Sequence, residues 1–94
     1  QLKNSADIWY AERKMAAKLL KLSGEFGRPG AEGVEINFPL SIQQMADYIG
    51  GSRETASRAC KRLTDLGLIR YEKKRFCIPD RTRLEGFRKE PSGL

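Results

Sequence analysis

The apolar and polar positions between Ser52 and Leu66 follow the period of an amphipathic α-helix. Small and apolar residues recur at i, i+3, i+4 and i+7, which places on one helical face Ala56, Ala59, Cys60 and Leu63. The opposite face carries Arg53, Glu54, Ser57, Arg58 and Lys61. Ser52 is a favourable N-cap, and Gly67 suits the left-handed position that follows a helix. The pattern predicts a helix with one buried face and one strongly polar face.

A second, shorter helical pattern precedes this helix and runs to about Ile49. Ser41 followed by Gln44 fits a capping box, and the apolar residues Leu40 and Met45 stand at the positions of a hydrophobic staple. The two helices are separated only by the pair of glycines at 50–51, of which the first can adopt a positive φ at little cost. Two helices joined by a tight glycine-bearing turn predict a helix-turn-helix.

The flanking segments complete the expected architecture. Helical spacing predicts a first helix from Asn4 to about Gly24, with Ile8, Met15, Leu19, Leu22 and Phe26 on its apolar stripe. The stretch 24–33 holds four glycines and a proline, which indicates a loop, and the alternation in 34–38 predicts a short strand. Two further strands are expected at 68–71 and 75–78, with Phe76 and Ile78 facing inward, and a short helix at 80–87.

A β-hairpin that follows the second helix of a helix-turn-helix is a wing. The predicted fold class is therefore α+β, mostly α: a winged helix-turn-helix with a three-helix core and a short β-hairpin wing. We expect one such domain over residues 1–87, in which 1–14 are a hinge or the start of the first helix, and a disordered tail over 88–94.

The net charge of +6 is concentrated in the second helix and the hairpin. Residues 52–75 hold eight basic and three acidic side chains and so carry +5. Such a basic stripe indicates a polyanionic partner, with a merely solvated charged face as the alternative at this point. No apolar run reaches the length of a membrane span, and a start at Gln1 without a signal-peptide pattern favours a fragment of a longer, cytoplasmic protein.

The two cysteines, Cys60 and Cys77, and the absence of histidine argue against a structural zinc site. A disulfide between the two cysteines remains an alternative, but a small buried thiol is the favoured interpretation of Cys60. The sequence also lacks a nucleophile–base pair and a phosphate-cradling glycine loop, which argues against an enzyme.

The stretch from Ala16 to Asp80 resembles the C-terminal DNA-binding domain of the bacterial Crp/Fnr transcription regulators. The resemblance is carried by A-A-K-L-L-K-L-S-G-E-F-G at 16–27 and by L-S-I-Q-Q-M-A-D-Y-I-G-G-S-R-E-T-A-S-R-A-C-K-R-L-T-D-L-G-L-I at 40–69. It implies sequence-specific binding of double-stranded DNA for transcription control, with the helix at about 52–66 in the major groove. It also implies a sensor and dimerisation region outside this chain, a homodimer in the full-length protein, no cofactor in this chain and, as in many family members, contact with RNA polymerase.

The resemblance implies a role for individual side chains of this sequence. Contacts to base edges are expected from Arg53, Glu54, Ser57 and Arg58. The chemistry agrees, since arginine pairs with guanine through two hydrogen bonds and glutamate accepts from cytosine. Contacts to the DNA backbone are expected from Gln43, Ser52, Thr55, Lys61, Lys73 and Lys74. The alternatives that stay open are a winged helix used for protein–protein interaction and one that binds RNA.

Overall fold

The structure, a computed structural model, describes residues 4–90, with side-chain surroundings from Ile8 onward. Its elements in chain order are α1 (Asn4–Phe26), β1 (Gly27–Gly30), β2 (Gly33–Ile36), α2 (Ile42–Ile49), α3 (Arg53–Asp65), β3 (Arg70–Glu72), β4 (Arg75–Ile78) and α4 (Arg81–Lys89). The strands form one antiparallel sheet in the order β1-β2-β4-β3. This confirms the mostly helical α+β class and the β3–β4 wing. No helix in the described range is long and apolar enough to cross a bilayer.

Helix α1 supplies the central apolar face of the fold. Met15, Leu19 and Leu22 are buried as the stripe predicts, and α1 packs mainly against α3 and α4. Because α4 joins this packing, the helical core holds four helices rather than the expected three. The placement of Phe26 in the core was wrong: its side chain is 48% exposed at the end of α1, where it packs edge-on against Phe38 with ring centroids 5.2 Å apart.

The prediction of a loop over 24–33 was also wrong. Helix α1 continues to Phe26, and β1 pairs antiparallel with β2 across a two-residue turn. The strand expected at 34–38 is therefore β2, shifted to Gly33–Ile36. Gly33 has a φ of +127°, and a Cβ added there would lie 2.3 Å from the carbonyl oxygen of Ile78. Glycine is thus what lets β2 approach β4 closely enough to join the two hairpins into one sheet.

A single apolar cluster lies between the sheet and the helices. Its fully buried members include Ile36, Met45, Leu63, Phe76 and Ile78, so β2, β4, α2 and α3 all contribute to it. The alternation predicted for β4 is confirmed, since Phe76 and Ile78 are buried. Each fully buried side chain of this size contributes about 1.5–3 kcal/mol relative to leaving it exposed. This burial holds α3 by its small and apolar face and leaves its polar face outward.

The last described element is α4, which follows the N-cap Asp80 and runs two residues beyond the expected end at Phe87. Pairing of Arg88 and Lys89 with Glu85 on the surface of α4 accompanies this extension. Residues 88–89, which were expected to belong to a disordered tail, are thus helical; residues 91–94 of the predicted tail lie outside the described residues, as do residues 1–3 of the predicted hinge. Residues 4–14 are helical and continuous with the rest of α1.

Candidate nucleic-acid interface

Local hydrogen bonds fix α2 and the turn that follows it. The predicted capping box is present: the amide of Gln44 donates to Ser41 Oγ over 3.0 Å, and the amide of Ser41 donates to Gln44 Oε1 over 2.8 Å. At the other end, Gly50 has a φ of +77° and its amide donates to the Ala46 carbonyl over 2.9 Å. These bonds satisfy backbone groups that a helix end would otherwise leave unpaired. They set the angle at which the chain enters α3.

The start of α3 is capped by Ser52, as predicted. Ser52 Oγ accepts a hydrogen bond from the Thr55 amide over 3.1 Å and donates to Thr55 Oγ1 over 3.0 Å. Ser52, Arg53 and Glu54 are exposed at this end of α3, where the positive pole of the helix dipole favours an anion. The two hydroxyls and the helix N-terminus therefore form a small donor-rich surface that suits a phosphate group.

The polar face of α3 brings the four expected base readers together in solvent. Arg53, Glu54, Ser57 and Arg58 are all exposed, and with Ile42 of α2 they line one shallow depression. Arg58 lies 3.9 Å from Glu54, and the two side chains are 57% and 81% exposed. An exposed ion pair of this kind is weak, so both side chains are available to an incoming ligand. The opposite, buried face is the predicted one, formed by Ala56, Ala59, Cys60 and Leu63.

The expected backbone-contacting side chains surround this face. Lys61, about one turn beyond Ser57 on α3, pairs with Asp65 over 3.2 Å and is 77% exposed. Gln43 on α2 is exposed and donates to Asp47 over 3.1 Å. Neither contact is strong enough to withhold the side chain from a phosphate.

The wing turn, formed by Lys73 and Lys74, is tied to the start of α2. The amide of Leu40 donates to the Lys74 carbonyl over 2.7 Å, and the Tyr71 hydroxyl donates to the Leu40 carbonyl over 2.6 Å. Both lysines are exposed, and both have positive φ, at 52° and 63°. The wing therefore carries two lysines on a turn that is hydrogen-bonded to the segment preceding α2, at the cost of left-handed backbone in two non-glycine residues.

A polar cluster that was not predicted joins α1 to α3. Glu12 is only 4% exposed, and its carboxylate lies 3.0 Å from Arg13 and 3.6 Å from Arg62 of α3. Burial raises the pKa of Glu12, against the lowering effect of Arg62 and then of Arg13. The position of Glu12 in the sequence could have indicated this cluster, since Glu12 falls on the apolar stripe of α1 between Ile8 and Met15. A carboxylate on such a stripe requires a cationic partner when it is buried.

Arg13 extends this cluster to α4. Its guanidinium lies 4.5 Å from the ring centroid of Trp9 and 3.9 Å from that of Phe87, and it donates to Glu90 over 2.8 Å. Trp9 is partly buried against Arg13, whereas Tyr10 is 58% exposed. The cluster therefore links α1 to α3 and to the end of α4.

The two cysteines are free thiols, Cys60 buried and Cys77 partly buried. Burial raises the pKa of Cys60, whose thiol therefore stays protonated and inert within the core. Among the side chains of residues 8–90, no group of three or more from His, Cys, Asp and Glu is placed to hold a metal ion.

Comparison with known proteins agrees with this geometry. Residues 13–87 match the family described as the Crp-like helix-turn-helix domain. The chain is 31% identical over 83 residues to the CRP-like cAMP-activated global transcriptional regulator of Mycobacterium tuberculosis, covering 86% of this chain and 37% of that protein. It is 35% identical over 65 residues to the global nitrogen regulator of Synechococcus elongatus, covering 69% of this chain and 29% of that protein. The chain thus spans about a third of the length of these relatives.

Solved structures show the same fold. The CO-dependent transcription factor CooA from Carboxydothermus hydrogenoformans superimposes with a TM-score of 0.76 at 22% identity, over 94% of this chain and 44% of that one. A CRP/FNR-family transcriptional regulator from Thermus thermophilus superimposes with a TM-score of 0.74 at 24% identity, over 84% of this chain and 40% of that one.

Proposed function

The chain belongs to the family of Crp-like helix-turn-helix domains of CRP/FNR transcription regulators, and from this premise we propose that it binds double-stranded DNA in a sequence-specific way. Helix α3 enters the major groove, and Arg53, Glu54, Ser57 and Arg58 contact base edges. The observation that supports this most directly is the exposed α3 face, where these four side chains stand together around one shallow depression. The family consists of transcription regulators rather than enzymes.

The backbone contacts in this proposal come from side chains that surround the α3 face. Ser52, the Thr55 hydroxyl and the amides of Arg53 and Glu54 bind one phosphate. Gln43 and Lys61 bind others, and the wing turn supplies Lys73 and Lys74. Lysine suits this role because it acts as a point charge, whereas arginine can pair with guanine in a planar, two-bond geometry. Phosphate contacts then set the position of the domain, and the α3 face reads the sequence.

The longer protein, in this proposal, is a homodimer that binds two half-sites about one helical turn apart, and it contacts RNA polymerase through a surface that we do not assign. Use of the winged helix for protein–protein contact is less well supported. Such a role would require an apolar α3 face, whereas the large exposed apolar side chains of the described residues are Tyr10, Phe26, Tyr48 and Leu66, none of which lies on it.

Selection from a pool of random duplexes, followed by titration of the selected sequence and of unrelated DNA, tests the proposal. We expect Arg53→Ala and Arg58→Ala each to lower the affinity ratio between the two duplexes by about 5- to 150-fold, which corresponds to one lost base contact. Arg28→Ala is the matched control, because Arg28 is exposed on β1, away from the α3 face. A selection without enrichment, or an unchanged ratio in both α3 variants, would refute it.

A further inference from the structure

A groove between α1 and the C-terminal end of α2 leads away from the start of α3. It consists of two adjoining cavities of about 550 Å³ and 400 Å³ that share Lys14 and Ile49. The first cavity is bounded at one end by the α2–α3 turn and by Thr55, which is among the proposed phosphate contacts. The second continues along α1 to Lys21 and is bordered by Tyr48. The groove is therefore continuous with the proposed interface, although none of its other side chains belongs to that interface.

Three lysines stand along this groove on one face of α1. Lys14, Lys18 and Lys21 are spaced at i, i+4 and i+7, which distributes three positive charges over about 10 Å of helix. Among residues 8–90, whose side-chain surroundings the structure describes, none of the three has an ion-pair partner. Like charges at this spacing destabilise a helix slightly, and an anion in the groove would remove that repulsion.

Two tyrosines border the same lysines. Tyr10 is 58% exposed beside the first cavity and Tyr48 is 47% exposed beside the second, where the Lys18 ammonium lies 5.0 Å from its ring centroid. The phenol hydroxyls are further donors of the kind that contact phosphate oxygens in DNA complexes. The carboxylate nearest along the chain to Tyr48, that of Asp47, accepts a hydrogen bond from Gln43.

We infer that this lysine groove, defined by Lys14, Lys18, Lys21, Tyr10 and Tyr48, binds the sugar–phosphate backbone of the duplex that α3 reads, in the segment flanking the half-site. The inference rests on the proposed function, because it takes the duplex at Thr55 as its starting point. Charge and continuity favour DNA as the occupant. An acidic protein surface fits less well: apart from the two tyrosines, whose hydroxyls can donate to phosphate, the apolar lining of the groove consists of Ala11, Ala17 and the 7%-exposed Ile49.

The test compares two triple variants of the 94-residue chain on two duplexes. The groove variant carries Lys14→Gln, Lys18→Gln and Lys21→Gln. The control variant carries Arg28→Gln, Arg83→Gln and Lys89→Gln, exposed side chains on β1 and α4, so that both variants lose three positive charges. One duplex contains only the selected half-site, and the other adds about one helical turn of flanking DNA on each side. Circular dichroism and thermal unfolding establish that both variants are folded.

On the long duplex, we expect the dependence of log K on log salt to be shallower by about 2.7 for the groove variant and unchanged for the control. The ratio of the unmodified chain's affinity to that of the groove variant is then about 40-fold smaller at 200 mM than at 50 mM salt. On the short duplex the difference between the two variants largely disappears. The same lysines should be protected by the long duplex from acetylation, read out by mass spectrometry.

Equal salt dependence of the groove and control variants on the long duplex, or equal acetylation of Lys14, Lys18 and Lys21 with and without DNA, would overturn the inference. In that case an acidic protein surface becomes the better occupant. The proposed function is tested independently of the groove, because its readout is the loss of sequence discrimination in Arg58→Ala. If the unmodified chain binds no duplex at all, both proposals fail together.

Discussion

The wing turn allows a prediction in which stability and DNA affinity change in opposite directions. Lys73 and Lys74 are the two central residues of a two-residue hairpin loop, and both have positive φ, the pattern of a type I′ turn. Asn-Gly is the favoured sequence for such a turn, whereas a left-handed backbone costs other residues roughly 1–2 kcal/mol each. After the entropy cost of introducing glycine, roughly 0.5–1 kcal/mol, the double substitution Lys73→Asn with Lys74→Gly should stabilise the domain by about 1–2 kcal/mol.

For a domain of this size such a gain raises Tm by about 5–15 °C, which calorimetry resolves directly. Removing both ammonium groups should also make the salt dependence of duplex binding shallower by about 1.8. The double variant Lys73→Gln with Lys74→Gln is the matched control: it removes the same charges but keeps the left-handed strain, so its salt dependence should change equally and its Tm should not rise. An Asn-Gly variant no more stable than the Gln-Gln variant would refute the assignment of strain to this turn.

Two further predictions concern the fold. Because burial raises the pKa of Glu12 above its ordinary 4.5, the folded state binds that proton more tightly than the unfolded chain, so this contribution to stability is present below pH 4.5 and is lost as the pH rises through the folded-state pKa. Urea unfolding at several pH values should show a smaller loss of stability with rising pH in Glu12→Gln than in the unmodified chain; parallel profiles would contradict the cause given for the pKa. Gly33→Ala should cost about 3 kcal/mol or more, because the added Cβ meets the Ile78 carbonyl at 2.3 Å, whereas Gly86→Ala, in open space within α4, should stabilise by about 0.5–1 kcal/mol. Thermal unfolding of the two alanine variants measures both effects, and a well-folded Gly33→Ala variant would show that β2 and β4 are not in contact as described.

The helix-turn-helix and the composition of its exposed face could be predicted from the sequence in detail. The capping box at Ser41, the left-handed Gly50, the N-cap Ser52 and the buried positions of α3 all follow from interactions within one or two turns of helix. Such signals are complete within a short stretch of chain, so they can be recognised without knowing what the rest of the protein does. The alternation of β4 is similarly local, and Phe76 and Ile78 are buried as expected.

The features that were missed depend on residues far apart in the chain. Strand β1 has no apolar alternation, and it forms because β2, itself held against β4 through the Val34–Ile78 pairing, offers it an edge. The burial of Glu12 depends on Arg62, and the lysine groove exists only because α1 lies against the end of α2 and the start of α3. The sequence by itself thus determined the helices, their caps and the side chains that α3 presents. The tertiary structure alone decided which distant backbone and charged groups meet, because their contact energies arise only when packing brings them together.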